Sequence, residues 1–150
     1  MRFVDTNVLL YAVSRSPDER TKSATARATL ESDDLTLSVQ VLQEFYVQAT
    51  RSTRADRLSH EQAVLLIESL RLRFPVQDVT VALLYSALAT AARFRISYWD
   101  AAIVEAARAS GCSVVLSEDL GHGQDFAGVR IENPFRVSAK RAPRKGVRHR

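Results

Sequence analysis

The stretch Arg2-Phe3-Val4-Asp5-Thr6-Asn7 decides the fold. Phe3 and Val4 are an apolar pair suited to a short buried strand, and Asp5-Thr6-Asn7 follows with residues that favour turns and caps. A strand that stops on Asp5 leaves a carboxylate at a sheet edge. Outward from it, strand-like and helix-like segments alternate. Residues from about Asp18 to Asp34 are Ala-rich and polar on one side, which predicts an exposed helix. Leu35-Thr36-Leu37-Ser38 predicts a second strand. Val39, Leu42, Phe45, Tyr46 and Ala49 recur at helical spacing and predict an amphipathic helix, with Glu44 beside its apolar face. Ser59-His60-Glu61-Gln62 has capping-box spacing and opens a helix with Ala63, Leu66, Ile67 and Leu70 on one stripe. Pro75 to Asp78 reads as a brief third strand, and Thr80 caps a helix through Leu83, Leu84, Ala87, Leu88 and Ala91. A helix starting at Ser97 continues through Ile103, Val104 and Ala107 to a left-handed stop at Gly111. Ser113 to Ser117 is the most strand-like run, and Val129-Arg130-Ile131 makes a last strand before Pro134.

Strands separated by helices predict an α/β fold with a mainly parallel central sheet and helices on both faces. Ligands of such sheets sit beyond the carboxyl ends of the strands. Neither an internal repeat nor a second domain is visible. At 150 residues and 46% hydrophobic composition, one domain can bury roughly 70% of its unfolded surface without a metal or disulfide staple. The single Cys112 cannot form an internal disulfide, so a reducing, cytoplasmic compartment is expected. The longest apolar run is the six residues Val8 to Val13, far short of the ~20 that cross a bilayer. Asp5 follows the first strand at once, so no cleavable signal peptide and no membrane association are expected.

The net charge is +4 with a pI near 9.6, and it is unevenly distributed. Six of the 21 basic side chains, and no acidic one, lie in residues 138–150, leaving 15 basic against 17 acidic in residues 1–137. The expectation is therefore a slightly acidic domain over 1–137 and a basic, disordered tail over 138–150, since the tail has too little apolar surface to offset its ordering entropy. Two readings of the tail compete: a polycation that contacts nucleic-acid phosphates, or a solubilising end.

Acidic side chains recur where the ligand edge is expected. Asp5 ends the first strand, Glu44 lies on the helix after the second, Asp100 begins the helix before the fourth, and Asp119 follows the fourth. Two carboxylates about 4 Å apart repel by roughly 4 kcal/mol at a typical effective dielectric, a conflict a divalent cation removes. Hard oxygen donors without a Cys or His pair favour Mg²⁺ or Mn²⁺ over zinc. Such an ion polarises a phosphoryl oxygen and activates water, as phosphodiester hydrolysis requires. Each acid also has a structural reading. Asp100 fits the acidic half of a capping box with Ser97, Asp5 a turn former or helix cap, Glu44 a solvated helix residue, and Asp119 a loop-shaping residue. Glu118 and Asp125 compete with Asp119 for the fourth place.

Asp5-Thr6-Asn7-Val8-Leu9-Leu10-Tyr11, Glu44 within Val41 to Phe45, Tyr98-Trp99-Asp100-Ala101-Ala102-Ile103 and Leu116-Ser117-Glu118-Asp119-Leu120 resemble the four acidic motifs of PIN-domain ribonucleases. The closer resemblance is to VapC-type toxins of bacterial toxin–antitoxin modules, over about residues 1–136. It implies a PIN-like α/β/α sandwich and a Mg²⁺- or Mn²⁺-dependent endoribonuclease acting on single-stranded RNA. It also implies Asp5, Glu44 and Asp100 as metal ligands, Asp119 as the fourth acid, and Ser117 and Asn7 as supporting residues. A homodimer and a small inhibitory antitoxin are the implied partners. The loop Gly121 to Asp125 departs from the shorter acidic loop of many relatives.

The remaining features have plainer expectations. Trp99 and Tyr98 are expected in the core rather than stacked on a base, and Arg93 and Arg95 either reach phosphate or interact with a helix dipole. His60 and His122 are expected at the surface, and Cys112 as a small buried residue. Rival functions are a Mg²⁺-dependent phosphatase of haloacid-dehalogenase type, which needs an acid where Asn7 stands, and a non-catalytic RNA-binding module, which has no use for clustered carboxylates.

Overall fold

The computed structural model describes residues 1–136. The basic segment 138–150 lies outside the described residues. The elements are β1 (Arg2–Val4), α1 (Thr6–Val13), a 3-10 turn (Pro17–Glu19), α2 (Arg20–Leu30), β2 (Leu35–Ser38), α3 (Val39–Ala49), α4 (His60–Arg73), β3 (Val76–Gln77), α5 (Val81–Phe94), α6 (Tyr98–Ala109), β4 (Val114–Leu116), β5 (Asp125–Phe126) and β6 (Val129–Glu132). The sheet order is β3-β2-β1-β4-β6-β5, with every pair parallel except β5 with β6. Helix α1 packs on α2 and α3, α3 packs on α4, and α5 pairs with α6, which lies against β2, β4 and β6. The expected α/β sandwich with a mainly parallel sheet is the fold observed.

Strands buried on both faces need apolar side chains in both directions. Phe3 and Val4 on β1, Leu35 and Leu37 on β2, and Val115 on β4 meet that need, each 0% exposed. The chain runs from β1 outward to β2 and β3, then crosses back to place β4 and β6 on the other side of β1. The strand order therefore reverses between β1 and β4, and a reversal opens a crevice at the carboxyl ends of the two strands. Pairing continues one residue past β1, where the Asp5 amide donates to the Leu116 carbonyl at 3.0 Å.

Helix starts follow the expected caps. Ser59 and Gln62 form a reciprocal capping box, and Ser38, Thr80 and Ser97 each accept from a first-turn amide. Gly111 has φ +74°, the left-handed conformation expected after α6. Two elements have no counterpart in the sequence reading. Helix α1 begins at Thr6, where a turn is expected; its run Val8-Leu9-Leu10 is buried throughout, so it lacks the polar face that reveals a helix. Strand β5 is a two-residue arm folded back by Ala127 and Gly128, both at positive φ. Its Ala-Gly turn is a weaker hairpin signal than Asn-Gly.

Phe3 is fully buried on the central strand that carries Asp5. Phe3→Ala is expected to cost about 3–5 kcal/mol of unfolding free energy in urea titration, in the range for large-to-small core changes.

Candidate active site

Asp5, Glu44, Asp100 and Asp119 line one cavity of about 110 Å³, together with Thr6, Asn7, Gln48 and Trp99. The four carboxylates come from four stretches of chain. The β1–β4 crevice supplies Asp5 and Asp119, α3 supplies Glu44, and the first turn of α6 supplies Asp100. No Lys, Arg or His lines the cavity. Among the described residues, no three Asp, Glu, His or Cys side chains converge tightly enough to enclose an ion by themselves.

Asp5 is the most confined of the four. Its Oδ1 accepts from the Thr6 amide at 2.8 Å, which caps α1, and its Oδ2 accepts from the Ser117 hydroxyl at 2.8 Å. The Asn7 amide nitrogen lies 3.4 Å from Asp5 Oδ2, and 3.2 Å from both Ser117 Oγ and Asp119 Oδ2. Asn7 Oδ1 accepts from the Glu118 amide, while Ser117 Oγ accepts from the amides of Asp119 and Leu120. Two side chains, Asn7 and Ser117, thereby tie the end of β1 to the loop after β4. Both are expected as supporting residues, and both occupy that position.

Glu44 is half-buried rather than solvated. Its Oε2 accepts from Thr6 Oγ1 at 2.7 Å and its Oε1 from Gln40 Nε2 at 3.0 Å. Thr6 and Gln40 escape the sequence reading, although a Gln four residues before a helical Glu is a known partner spacing. Asp100 is only half of the capping box considered for it. Its amide donates to Ser97 Oγ, but its carboxylate does not return to the Ser97 amide and instead lines the cavity.

The competitors for the fourth place are engaged elsewhere. Glu118 accepts from the Tyr11 hydroxyl at 2.7 Å and pairs with Lys22 at 2.7 Å. Asp125 closes the β5–β6 turn by accepting from the Gly128 amide at 2.7 Å. Asp119 alone of the three lines the cavity. One expectation is overturned: Trp99 is 64% exposed at the cavity rim, because α6 buries Ala101 through Ala107 and its first turn projects beyond that contact. Tyr98 does pack against the core. Arg93 stacks over Phe94 and Arg95 holds the left-handed C-cap of α5; neither lines the cavity. His60 and His122 are exposed, each with a hydrogen-bonded Nδ1, and Cys112 is buried.

The family model for the PIN domain matches residues 2–124. Similar solved structures include a toxin–antitoxin complex from Klebsiella pneumoniae, with 18% identity, TM-score 0.66, and coverage of 91% of this chain and 100% of that one. The sarcin–ricin loop cleaving toxin VapC20 of Mycobacterium tuberculosis matches with 21% identity, TM-score 0.62, and coverage of 79% and 92%. DNA-bound VapBC from Salmonella typhimurium matches with 21% identity, TM-score 0.61, and coverage of 89% and 97%. At these identities the structural likeness is one of fold. A search of curated protein sequences finds no match.

Burial pushes the Asp5 carboxyl up from 3.8 to about 6, against the lowering effect of the Ser117 and Thr6 hydrogen bonds; Glu44 and Asp119 add to the rise. An unfolded chain ionises this group near pH 4, whereas the folded protein holds the proton until about pH 6. Ionisation therefore favours the unfolded chain, and Asp5 subtracts stability as pH rises through that window, by about 3 kcal/mol once both states are ionised. Asp5→Asn keeps a capping side chain and removes the titration. In EDTA, unfolding free energy of the variant relative to the parent is expected to rise between pH 4 and pH 7 by up to that amount, measured by urea denaturation.

Proposed function

The chain belongs to the PIN-domain family, and from that premise we propose that it is a divalent-metal-dependent endoribonuclease, the toxin of a type II toxin–antitoxin pair, cutting single-stranded regions of RNA. The observation that carries this reading is a single cavity lined by four carboxylates and by no cation. Carboxylates that share a cavity with no cation favour a divalent ion, and their hard oxygens suit Mg²⁺ or Mn²⁺. A cavity of about 110 Å³ has room for an ion and a few waters at roughly 30 Å³ each. Asp5, Glu44 and Asp100, with Asp119 at the rim, are the residues that would hold it. When bound, the ion lowers the pKa of a water and polarises a phosphoryl oxygen.

The chain's own groups do the positioning. Asn7 and Ser117 hold Asp5 and Asp119 in fixed relation, and Thr6 with Gln40 restrains Glu44. Restrained carboxylates keep their donor oxygens directed at the cavity, the role of hydrogen-bonding partners around metal ligands. Asp119, the exposed member, accepts a hydrogen bond from the attacking water. The rival phosphatase chemistry requires an acid at position 7, where the Asn7 amide is instead engaged with Asp119 and Ser117. A purely binding module would present cations to phosphate, and this cavity presents none.

Two surfaces support the partner readings. An open cleft of about 710 Å³ between α3 and α4 is lined by Val39, Leu42, Tyr46, Val47 and Ile67, which suits an apolar segment of an antitoxin. Val81, Leu84, Tyr85 and Leu88 form an exposed apolar stripe at helical spacing on α5, which suits a second copy of the chain.

RNA cleavage by the purified protein is expected to require Mg²⁺ or Mn²⁺ and to stop in EDTA. Ser117→Ala is expected to lose roughly 10- to 100-fold in activity, as for a partner of a metal ligand, and Asp100→Asn more than that, with far-ultraviolet circular dichroism unchanged in both. Metal-independent cleavage, or full activity in Asp100→Asn, overturns the proposal. Tyr85→Asp on the α5 stripe is expected to convert a dimer to a monomer in light scattering, without loss of fold.

A further inference from the structure

The acid cavity is too small to hold a nucleotide. At about 110 Å³ it accommodates an ion and water, so the bases flanking a phosphate placed there must lie outside. Beside it is a second cleft of about 310 Å³, lined by Trp99, Gln40, Gln43, Gln48, Val47 and Arg51, at the lower end of the ~300–1,000 Å³ typical of small-ligand sites. The two cavities are adjacent, since Glu44, Gln48 and Trp99 line both.

The lining of this second cleft has the chemistry of a base site. Trp99 is the only tryptophan of the chain and is 64% exposed, a large apolar area left in water immediately beside Asp100. Its backbone is nonetheless well held. Ser97 caps the helix, Ala101 to Ala107 are buried, and the Trp99 carbonyl accepts from Gln40 Nε2 at 3.3 Å. The ring itself packs edge-on against Tyr98, with centroids 5.1 Å apart, and leaves an indole available for stacking. Across the cleft, the Gln43 and Gln48 amides make no hydrogen bond among the described residues, and each offers a donor and an acceptor to a base edge. Arg51 adds an exposed positive charge at the cleft wall, and phosphate is its natural counter-ion.

We infer that this cleft is a nucleobase subsite, in which Trp99 stacks on an RNA base next to the phosphate held at the acids while Gln43 or Gln48 contacts its edge. The inference rests on the ribonuclease reading for its substrate, yet it has a readout of its own. Because Trp99 is the sole tryptophan, tryptophan emission excited selectively over tyrosine reports on this cleft. A ten-nucleotide single-stranded oligoribonucleotide added to Asp5→Asn protein is expected to quench and saturate that emission, and an abasic ribose-phosphate strand of equal length is not. In the otherwise unaltered protein, Trp99→Ala is expected to lower kcat/KM for the oligoribonucleotide roughly 5- to 150-fold, chiefly through KM, the range for losing one base stack. Trp99→Phe is expected to recover much of that loss. Equal quenching by the abasic strand, or unchanged KM in Trp99→Ala with RNA still cleaved, overturns the subsite and leaves the nuclease reading standing. Saturable quenching by RNA without any metal-dependent cleavage supports the base site and overturns the nuclease reading. If the Trp99→Ala chain melts well below the parent, the fluorescence titration decides alone, and an absence of saturable quenching by the oligoribonucleotide overturns the subsite.

Discussion

Burial of the Asp5 carboxylate at the seam between β1 and β4 constrains the rest of the site. Removed from water, the group needs donors, and it finds three: the Thr6 amide, the Ser117 hydroxyl and the Asn7 amide. Each donor belongs to a different requirement of the fold. Thr6 starts α1, Ser117 ends the strand that reverses the sheet order, and Asn7 links both to Asp119. These hydrogen bonds do not fully offset desolvation, which is why the carboxyl stays protonated to about pH 6. The shortfall is stability withheld from the fold at this one carboxylate, as is common where side chains are held for function rather than for packing.

Sorting of the neighbouring acids follows from the same economy of charge. Glu118 lies one residue from Asp119 but points to Lys22 and Tyr11, and that pairing holds its carboxyl below its ordinary value even though burial opposes it. Asp125 is occupied by its own turn. Glu118 is thus drawn away from the cavity by a cation and Asp125 by its own turn, whereas no Lys, Arg or His lines the cavity where Asp5, Glu44, Asp100 and Asp119 remain. The loop after β4 is anchored by Ser117 and Glu118 in succession. Asp119, the next residue, has its position set by the Ser117 hydroxyl that accepts from its amide and by Asn7.

Around this acidic centre the surface divides by chemistry. The Trp99 cleft combines amide and charged side chains with Val47 and one aromatic wall, and it shares Glu44, Gln48 and Trp99 with the cavity. The α3–α4 cleft is mostly apolar, with Arg71 and Asp78 at its edges, and the α5 stripe is apolar and convex. The α3–α4 cleft adjoins the Trp99 cleft, since Gln43 and Val47 line both. Among the described residues no helix is long and apolar enough to cross a membrane.

Local pattern was enough for much of this molecule. The alternation of strands and helices, the caps at Ser59, Thr80 and Ser97, the left-handed Gly111 and the candidacy of Asp5, Glu44, Asp100 and Asp119 are all legible in the sequence, because each depends on neighbours within a few residues or on a sheet rule that needs only strand ends. Helix α1 was hidden because burial of Thr6 through Leu10 on all sides erases amphipathic periodicity, and β5 because a two-residue strand carries almost no pattern. What only the tertiary structure decided is the choice among chemically equal residues. Asp119 over Glu118, the cavity-facing Asp100 over a capping one, and an exposed Trp99 over a buried one all depend on which distant side chains arrive: Lys22 and Tyr11 beside Glu118, Asn7 beside Asp119, and the sheet beneath α6. Spacing along the chain sets where a side chain starts, and the partners it meets across the fold decide where its charge or its ring is least costly to place.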